Sequence, residues 1–374
     1  LELNGVMPFE DPYSTVPGGQ THPVPNDPLA TASYPGFGAF GTIDPDNNSP
    51  RVQSWNVTLE RQIGSVWQTS VSYLGSYADR LWGGVQVNPG KFLGLNPCVL
   101  NGVSYPVCTT AANLDRRRVL IQENPAVGQF FGPVDRHDDV GQQSYAGLKL
   151  SVQRRAASGV SLSGNYTVSR CEADTGSSFS FAQFSAGYTD PNNPSFDRGN
   201  CTQSRTHIAN VSVGAETPQF ANATLRAVAS GWRASGIFNA RSGGWLTVTT
   251  TTDVAATGIA NQRVNQVLED PYADKSLNTY LNRAAFALPV AGTLGDHKNG
   301  SIQGPGFWNV DLALTRLLSI AGRQTLELRV ETFNLFNTFN WGDPVTNYDV
   351  GTFGRITTMA GAPRIVQFGV KYGF

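Results

Sequence analysis

The chain has 374 residues, with 27 lysines and arginines against 28 aspartates and glutamates, a net charge of −1. That balance excludes the basic footprint of a nucleic-acid binder; a composition 40% hydrophobic and 10% aromatic excludes a disordered chain. No apolar run approaches the ~18 residues of a membrane helix, and only 15% of residues are charged, so a β-rich body remains.

The sequence begins Leu1-Glu2-Leu3, with no initiator Met, no basic leader and no apolar leader segment. The expectation is that a signal was removed or that the chain begins inside a larger protein. Residues 1–50 are rich in Pro, Gly, Asn and Asp and read as the tail of an extracellular loop. Within them, Gly36-Phe37-Gly38-Ala39-Phe40-Gly41 has the spacing of a dinucleotide-binding loop. That motif needs a strand before it and a helix after it. Here Tyr34-Pro35 precedes and Asp44-Pro45 follows, so it reads as a coincidental Gly-rich loop.

From residue 51 onward, apolar residues recur at every second position, the mark of one strand face. The first run, 51–63, sets Trp55, Val57 and Leu59 against Asn56, Thr58 and Glu60, and ends at a Gly64-Ser65 turn. The second, 66–76, carries Trp67, Val71 and Tyr73. The third, 144–155, and the fourth, 160–169, flank a turn at Ala156-Ala157-Ser158-Gly159. The fifth is 206–215, and the sixth, near 224–241, carries Val228, Trp232, Ala234 and Phe238. The seventh, 307–316, sets Trp308, Val310, Leu312 and Leu314 opposite Asn309, Asp311 and Thr315. The eighth, 324–333, sets Leu326, Leu328 and Val330 opposite Glu327, Arg329 and Glu331. The ninth runs from Val366 to the terminal Phe374, in the manner of a closing strand of an outer-membrane barrel.

The connections between these strands alternate. Short ones fall at 64–65, 156–159, 216–223 and 317–323; long ones at 77–143, 170–205, 242–306 and 334–363. A transmembrane barrel has short periplasmic turns and long outer loops. With the C-terminus in the periplasm, every long connection lies outside. The mid-strand charges Glu60, Lys149, Arg233, Asp311, Glu327, Arg329, Glu331 and Lys371 all fall opposite the apolar face. The fold expectation is therefore an all-β, antiparallel transmembrane β-barrel, with 51–374 as the C-terminal segment of a larger barrel. An odd count of nine strands cannot close an antiparallel bacterial barrel by itself. The simplest reading is a chain cut upstream inside a loop; a strand overlooked in 1–50 or 84–131 is the bland alternative.

Motifs of chemistry are sparse. His22, His137, His207 and His297 are far apart, and neither a His-Glu-x-x-His nor a Gly-x-Ser-x-Gly pattern occurs. No enzyme, metal centre or cofactor is expected. Asp135-Arg136-His137-Asp138-Asp139 and Asp44-Pro45-Asp46-Asn47-Asn48 offer oxygen ligands for Ca²⁺. Neither has EF-hand spacing, and a solvated loop is the plainer reading. Cys98, Cys108, Cys171 and Cys201 form no Cys-x-x-Cys pair. All fall in connections assigned to the outside, where an oxidising compartment favours disulfides. The pairing Cys98–Cys108 with Cys171–Cys201 closes each loop locally and is preferred. Glu327, Arg329, Glu331, Arg233 and Asp311 are expected to line the lumen, the first three as a ladder with cross-strand support. Trp245, Tyr280 and Trp341 are weaker candidates for ligand contact.

Several segments together resemble the C-terminal barrel region of TonB-dependent outer-membrane receptors, especially the Oar-like group. They are Asp190-Pro191-Asn192-Asn193 with Asp197-Arg198-Gly199 and Arg205-Thr206-His207; Gly231-Trp232-Arg233-Ala234-Ser235-Gly236-Ile237 with Arg241-Ser242-Gly243; Asn282 with Ala285-Phe286, Pro289 and Gly292, leading to Gly304-Pro305-Gly306-Phe307-Trp308-Asn309-Val310-Asp311; Arg329-Val330-Glu331-Thr332-Phe333-Asn334-Leu335-Phe336-Asn337; and the strand ending in Phe374. They cover about 190 to 374, and their order and spacing carry the likeness. The resemblance implies a 22-stranded, plugged barrel that imports a large or scarce ligand with energy from the TonB complex. It also implies outer-membrane lipid as surroundings and contact with the barrel-assembly machinery through the Phe374 strand. This sequence shows no plug and no TonB box, and supplies about nine of the ~22 strands such transporters have. Active import is thus implied only for a full-length parent, and the ligand stays unnamed. The alternatives are an Oar-like adhesion or structural protein of the outer membrane and a secreted, soluble β-sandwich.

Overall fold

In a computed structural model, residues 36–174, 187–321 and 324–374 are described. The first part of the expected loop tail, 1–35, lies outside them. Nine long strands form one antiparallel sheet in sequence order. They are β1 Arg51–Ile63, β2 Trp67–Gln86, β3 Phe131–Ala157, β4 Val160–Ala173, β5 His207–Glu216, β6 Trp232–Arg241, β7 Phe307–Ala321, β8 Gln324–Phe333 and β9 Ile365–Gly373. The sheet is open: β1 and β9 are its two edges and are not paired with each other.

The register makes the wall two-faced. Leu59, Val71, Leu150, Tyr166, Ala209, Ala240 and Trp308 face one another strand to strand in one row. One residue along, a second row runs Glu60, Ser70, Ser151, Asn165, Asn210, Asn239 and Asn309. Successive side chains alternate between faces, so the first row is greasy and the second polar across seven strands. The pattern continues through Leu314, Val330 and Phe368 on one face and Ala313, Glu331 and Gln367 on the other. The apolar face is bare: Leu59 is 74% exposed and Phe368 80%. No second layer packs on it among the described residues, which removes the β-sandwich and leaves hydrocarbon as the natural cover. No described helix is long and apolar enough to cross a membrane.

Turn chemistry fixes the short connections. Ser158 and Gly159 both take positive φ, 51° and 75°, between the paired Ala157 and Val160, the geometry of a two-residue hairpin turn. At mid-wall, Trp55 lies over Gly75, its cross-strand partner; a Cβ there would meet the indole at 2.3 Å. Gly75→Val is therefore expected to cost about 1–3 kcal/mol through overpacking, measured by urea unfolding from lipid vesicles. An unchanged midpoint would show that the indole is free to move aside.

Four expectations need correction. Residues 224–231 are not the start of a strand: Asn222 caps a short helix, Ala223–Ala229, by accepting from the amides of Thr224 and Leu225 at 2.9 and 3.1 Å. Cys171 lies inside β4, not in a connection. The strands β2 and β3 run well beyond the alternating stretch, to Gln86 and back to Phe131. Finally, the supposed loop tail contains a strand, Gly38–Ile43, paired in parallel with the Phe131–His137 end of β3. Its parallel direction sets it apart from the antiparallel order of the wall. No helix follows the Gly-rich motif there.

Candidate functional site: the long-loop assembly

The four long connections, 87–130, 174–206, 242–306 and 334–364, all leave one end of the wall. Within 242–306 and 334–364 lies a buried apolar cluster of Val248, Val264, Leu281, Phe286, Ile302 and Phe353, with Tyr280, Ala285 and Ile356. This core belongs to the loops alone, which explains how such long irregular segments hold a shape.

Segment 242–306 is the hub. It reaches 87–130 through Arg117, which is 1% exposed and donates from Nη1 to the Ala256 carbonyl at 3.1 Å and from Nε to Asn113 at 2.9 Å. It reaches 334–364 through the Asp349 carboxylate, which accepts from Thr250 Oγ1 at 2.9 Å, Thr251 N at 2.7 Å and Thr251 Oγ1 at 2.6 Å. Burial alone would raise the Asp349 carboxyl; the combined hydrogen bonds from Thr251, Thr250 and Thr252 outweigh it and hold it below the ordinary value. It reaches 174–206 through Arg263, whose Nη1 donates to Asp197 Oδ1 at 2.5 Å, with both side chains 5% exposed. The Arg263 guanidinium also lies 3.9 Å from the centroid of the Phe196 ring, a cation–π contact. Asn299 Nδ2 donates to the Asp197 carbonyl at 2.6 Å. Two disulfides pin the loops further, Cys98–Cys108 and Cys171–Cys201, spanning 10 and 30 residues.

Beside the Arg263–Asp197 pair is a cavity of about 400 Å³ where three of the long connections meet. Trp245 contributes an aromatic wall, and Thr247, Asn261, Asn299 and Asp343 contribute amide, hydroxyl and carboxylate groups. Its size falls within the range of small-molecule sites. With one guanidinium against two carboxylates in its lining, it favours a neutral or cationic guest over an anionic one.

His297 is 1% exposed beside this hub, its ring edge-on to Phe286 at 5.3 Å and its Nδ1 3.1 Å from Gln266 Oε1. Burial first, and the Arg263 charge second, push its pKa down to about 4 against partial opposition from Asp296. The folded value lies below the ordinary 6.5. The unfolded loop therefore binds the proton first, and stability falls as pH drops from 6.5 toward 4. The slope is at most about 1.4 kcal/mol per pH unit. Protease resistance of the loops is expected to decline across that window and His297→Gln to flatten the decline; a flat wild-type profile contradicts it.

The residues anticipated from sequence lie elsewhere, on the polar face of the wall. Arg329 donates to Glu327 at 2.9 Å and to Glu331 at 3.4 Å. These ion pairs run along a single strand, not across strands as expected: all three residues sit on β8, and on β7 they face Leu317, Thr315 and Ala313. Their other neighbours are Lys371, Gly369 and Gln367 on β9. Arg233 pairs with Glu216 at 2.7 Å. Asp311 accepts from the Asn334 amide at 2.8 Å and from Asn309 at 3.1 Å, which occupies it in ending β8. Tyr280 is buried in the loop core, and Trp341 packs against that core. Of the aromatic candidates, Trp245 lines the cavity. Asp135 accepts from Gln86 at 2.7 Å, and Asp138 is held by Arg136 at 2.6 Å. Among the described residues no group of three or more side chains is placed to hold a metal. Arg263 was missed because its partner is 66 residues away, beyond any periodic signal.

Over residues 2–367 the chain matches the model of a family described as outer membrane beta barrel domain. None of the curated proteins matches it. Among solved structures, it is similar to the outer membrane transporter YddB from Escherichia coli, with 10% identity over 90% of this chain and 34% of that one, TM-score 0.44. It is similar to FpvA of P. aeruginosa, solved bound to heterologous pyoverdines, with 11% identity over 85% of this chain and 26% of that one, TM-score 0.40. It is also similar to BauA, the ferric preacinetobactin receptor from Acinetobacter baumannii, with 13% identity over 86% and 29%, TM-score 0.38. The chain thus spans between 26% and 34% of the length of these three structures.

Proposed function

The chain belongs to the outer membrane β-barrel family, and on that premise we propose that it forms wall and outer face of a receptor that takes up a scarce or large ligand with energy from a TonB complex. Its place is the bacterial outer membrane. The observation that carries the receptor reading is the ordered outer assembly, with a polar cavity at the meeting point of its loops. A passive pore needs no such cavity. In this reading the wall supplies the lumen surface, while plug and TonB contact belong to parts of a full-length parent outside these residues. The two bare edges, β1 and β9, pair with the remaining strands of that parent. Enzymatic activity is no part of the reading.

The test is binding of the purified TonB C-terminal domain to the full-length protein, measured by surface plasmon resonance. Saturable binding that depends on sequence upstream of Leu1 supports uptake. No binding by a correctly inserted barrel turns the assignment to the second reading, an Oar-like adhesion or structural protein. That second reading draws on the rigidity of the outer face, held by two disulfides and its own core.

A further inference from the structure

We propose that the inner rim of the wall binds the phosphate of an inner-leaflet phospholipid between Arg226 and Arg316. The inference rests on the membrane reading above, with the short connections on the periplasmic side. Arg316 falls in the lipid-facing row: it is two residues beyond Leu314 and sits opposite Trp232 and Leu328. Its guanidinium lies 5.0 Å from the Trp232 ring centroid. The short helix Ala223–Ala229 packs beside it, and Arg316 Nη2 donates to the Ala227 carbonyl. Trp232 Nε1 donates to the Val228 carbonyl at 2.9 Å, fixing the helix to the rim. Arg226 is oriented by the carbonyls of Phe220 and Ala221 at 2.9 and 2.7 Å. The two arginines line a cavity of about 390 Å³ with Ser230 and Ser319.

Charge decides what enters it. Residues 217–231 and 312–326 contain no aspartate or glutamate, and the flanking Glu216 and Glu327 lie on the polar face, paired with Arg233 and Arg329. Neither Arg226 nor Arg316 takes part in an ion pair among the described residues. Arg316 Nε is buried without a hydrogen-bond partner. Two cations without a counter-charge, at the edge of a greasy wall, call for an anion, and guanidinium groups match phosphate oxygens in geometry. The helix adds the apolar half of the site: Leu225 and Val228 are 52% and 63% exposed and bare of protein cover, as suits an element lying in the headgroup layer. The Arg–Trp pairing recurs along the same rim, where Arg154 lies 5.9 Å from the ring centroid of Trp67.

The experiment counts phosphatidylglycerol retained by the full-length protein in mild detergent, by native mass spectrometry. Phosphatidylcholine and inorganic phosphate serve as separate arms, and heat-modifiable gel mobility reports folding. Arg226→Gln/Arg316→Gln is expected to weaken phosphatidylglycerol retention at least about tenfold, while Arg226→Lys/Arg316→Lys keeps most of it. If the double Gln variant loses its folded mobility, Arg226→Gln alone, in the periplasmic turn, serves instead. Equal retention by folded Gln variants overturns the proposal. So does displacement of the lipid by inorganic phosphate, which would make this a free-anion site. Failure of the wild type to insert at all would instead overturn the membrane reading beneath it.

Discussion

Asp197→Ala is expected to destabilise the assembly of long loops by about 3–5 kcal/mol, the usual cost of removing one member of a buried ion pair. Both Asp197 and Arg263 are 5% exposed, so only water within the adjoining cavity can take the place of the lost carboxylate. Burial already lowers the Arg263 pKa; without Asp197 the guanidinium stands in that environment uncompensated. Asp197 also accepts the Thr189 amide at 2.6 Å through its second oxygen, so the substitution orphans two donors. The double variant Asp197→Leu/Arg263→Met removes both charges and is expected to recover much of the loss. The measurement is urea-dependent protease cleavage of the loops, with heat-modifiable mobility showing that the wall persists. A single variant costing less than about 1 kcal/mol would place the pair in the class of solvent-exposed bridges.

Leu314→Arg and Ala313→Arg form a matched pair of neighbours on opposite faces of β7. Leu314 sits in the greasy row with Ala234 and Val330 on either side. Leu314 is two residues from the Arg316 rim, between midplane and interface, so an arginine there is expected to cost about 1–3 kcal/mol. Ala313 faces Glu331 across the strand pair on the polar face, so an arginine there meets an opposite charge and is expected to change stability by less than about 1 kcal/mol. Unfolding free energies in phospholipid vesicles give both values. The reverse ranking would mean that the faces have been assigned the wrong way round.

The wall was legible because its signal is local. Trp55, Val57 and Leu59 announce β1 by alternation alone, and Ser158-Gly159 announces the β3–β4 turn by residue type. The signal ends where the bilayer does. The extension of β3 through Asp135-Arg136-His137-Asp138-Asp139 faces no hydrocarbon, so nothing enforces alternation there, and those residues looked like loop. The helix Ala223–Ala229 reads as strand in the sequence because Val228 and Trp232 happen to fit period two. Its good helix formers and the Asn222 cap were the better guide. The local disulfides could be proposed from their spacing. The hub was hidden, because Thr250 meets Asp349 across 99 residues and its apolar cluster has no period.

The rung from Glu60 to Asn309 has a geometric consequence. It crosses seven strands in six steps, roughly 29 Å at the strand spacing of about 4.8 Å. Because barrel strands tilt by about 35–45° from the pore axis, a line perpendicular to them is a ramp and not a level ring. From one end to the other it changes depth by about 17–20 Å. The row is thus a sloping banister of polar groups, running from the Glu60 carboxylate through two serine hydroxyls to four asparagine amides across much of the membrane's thickness.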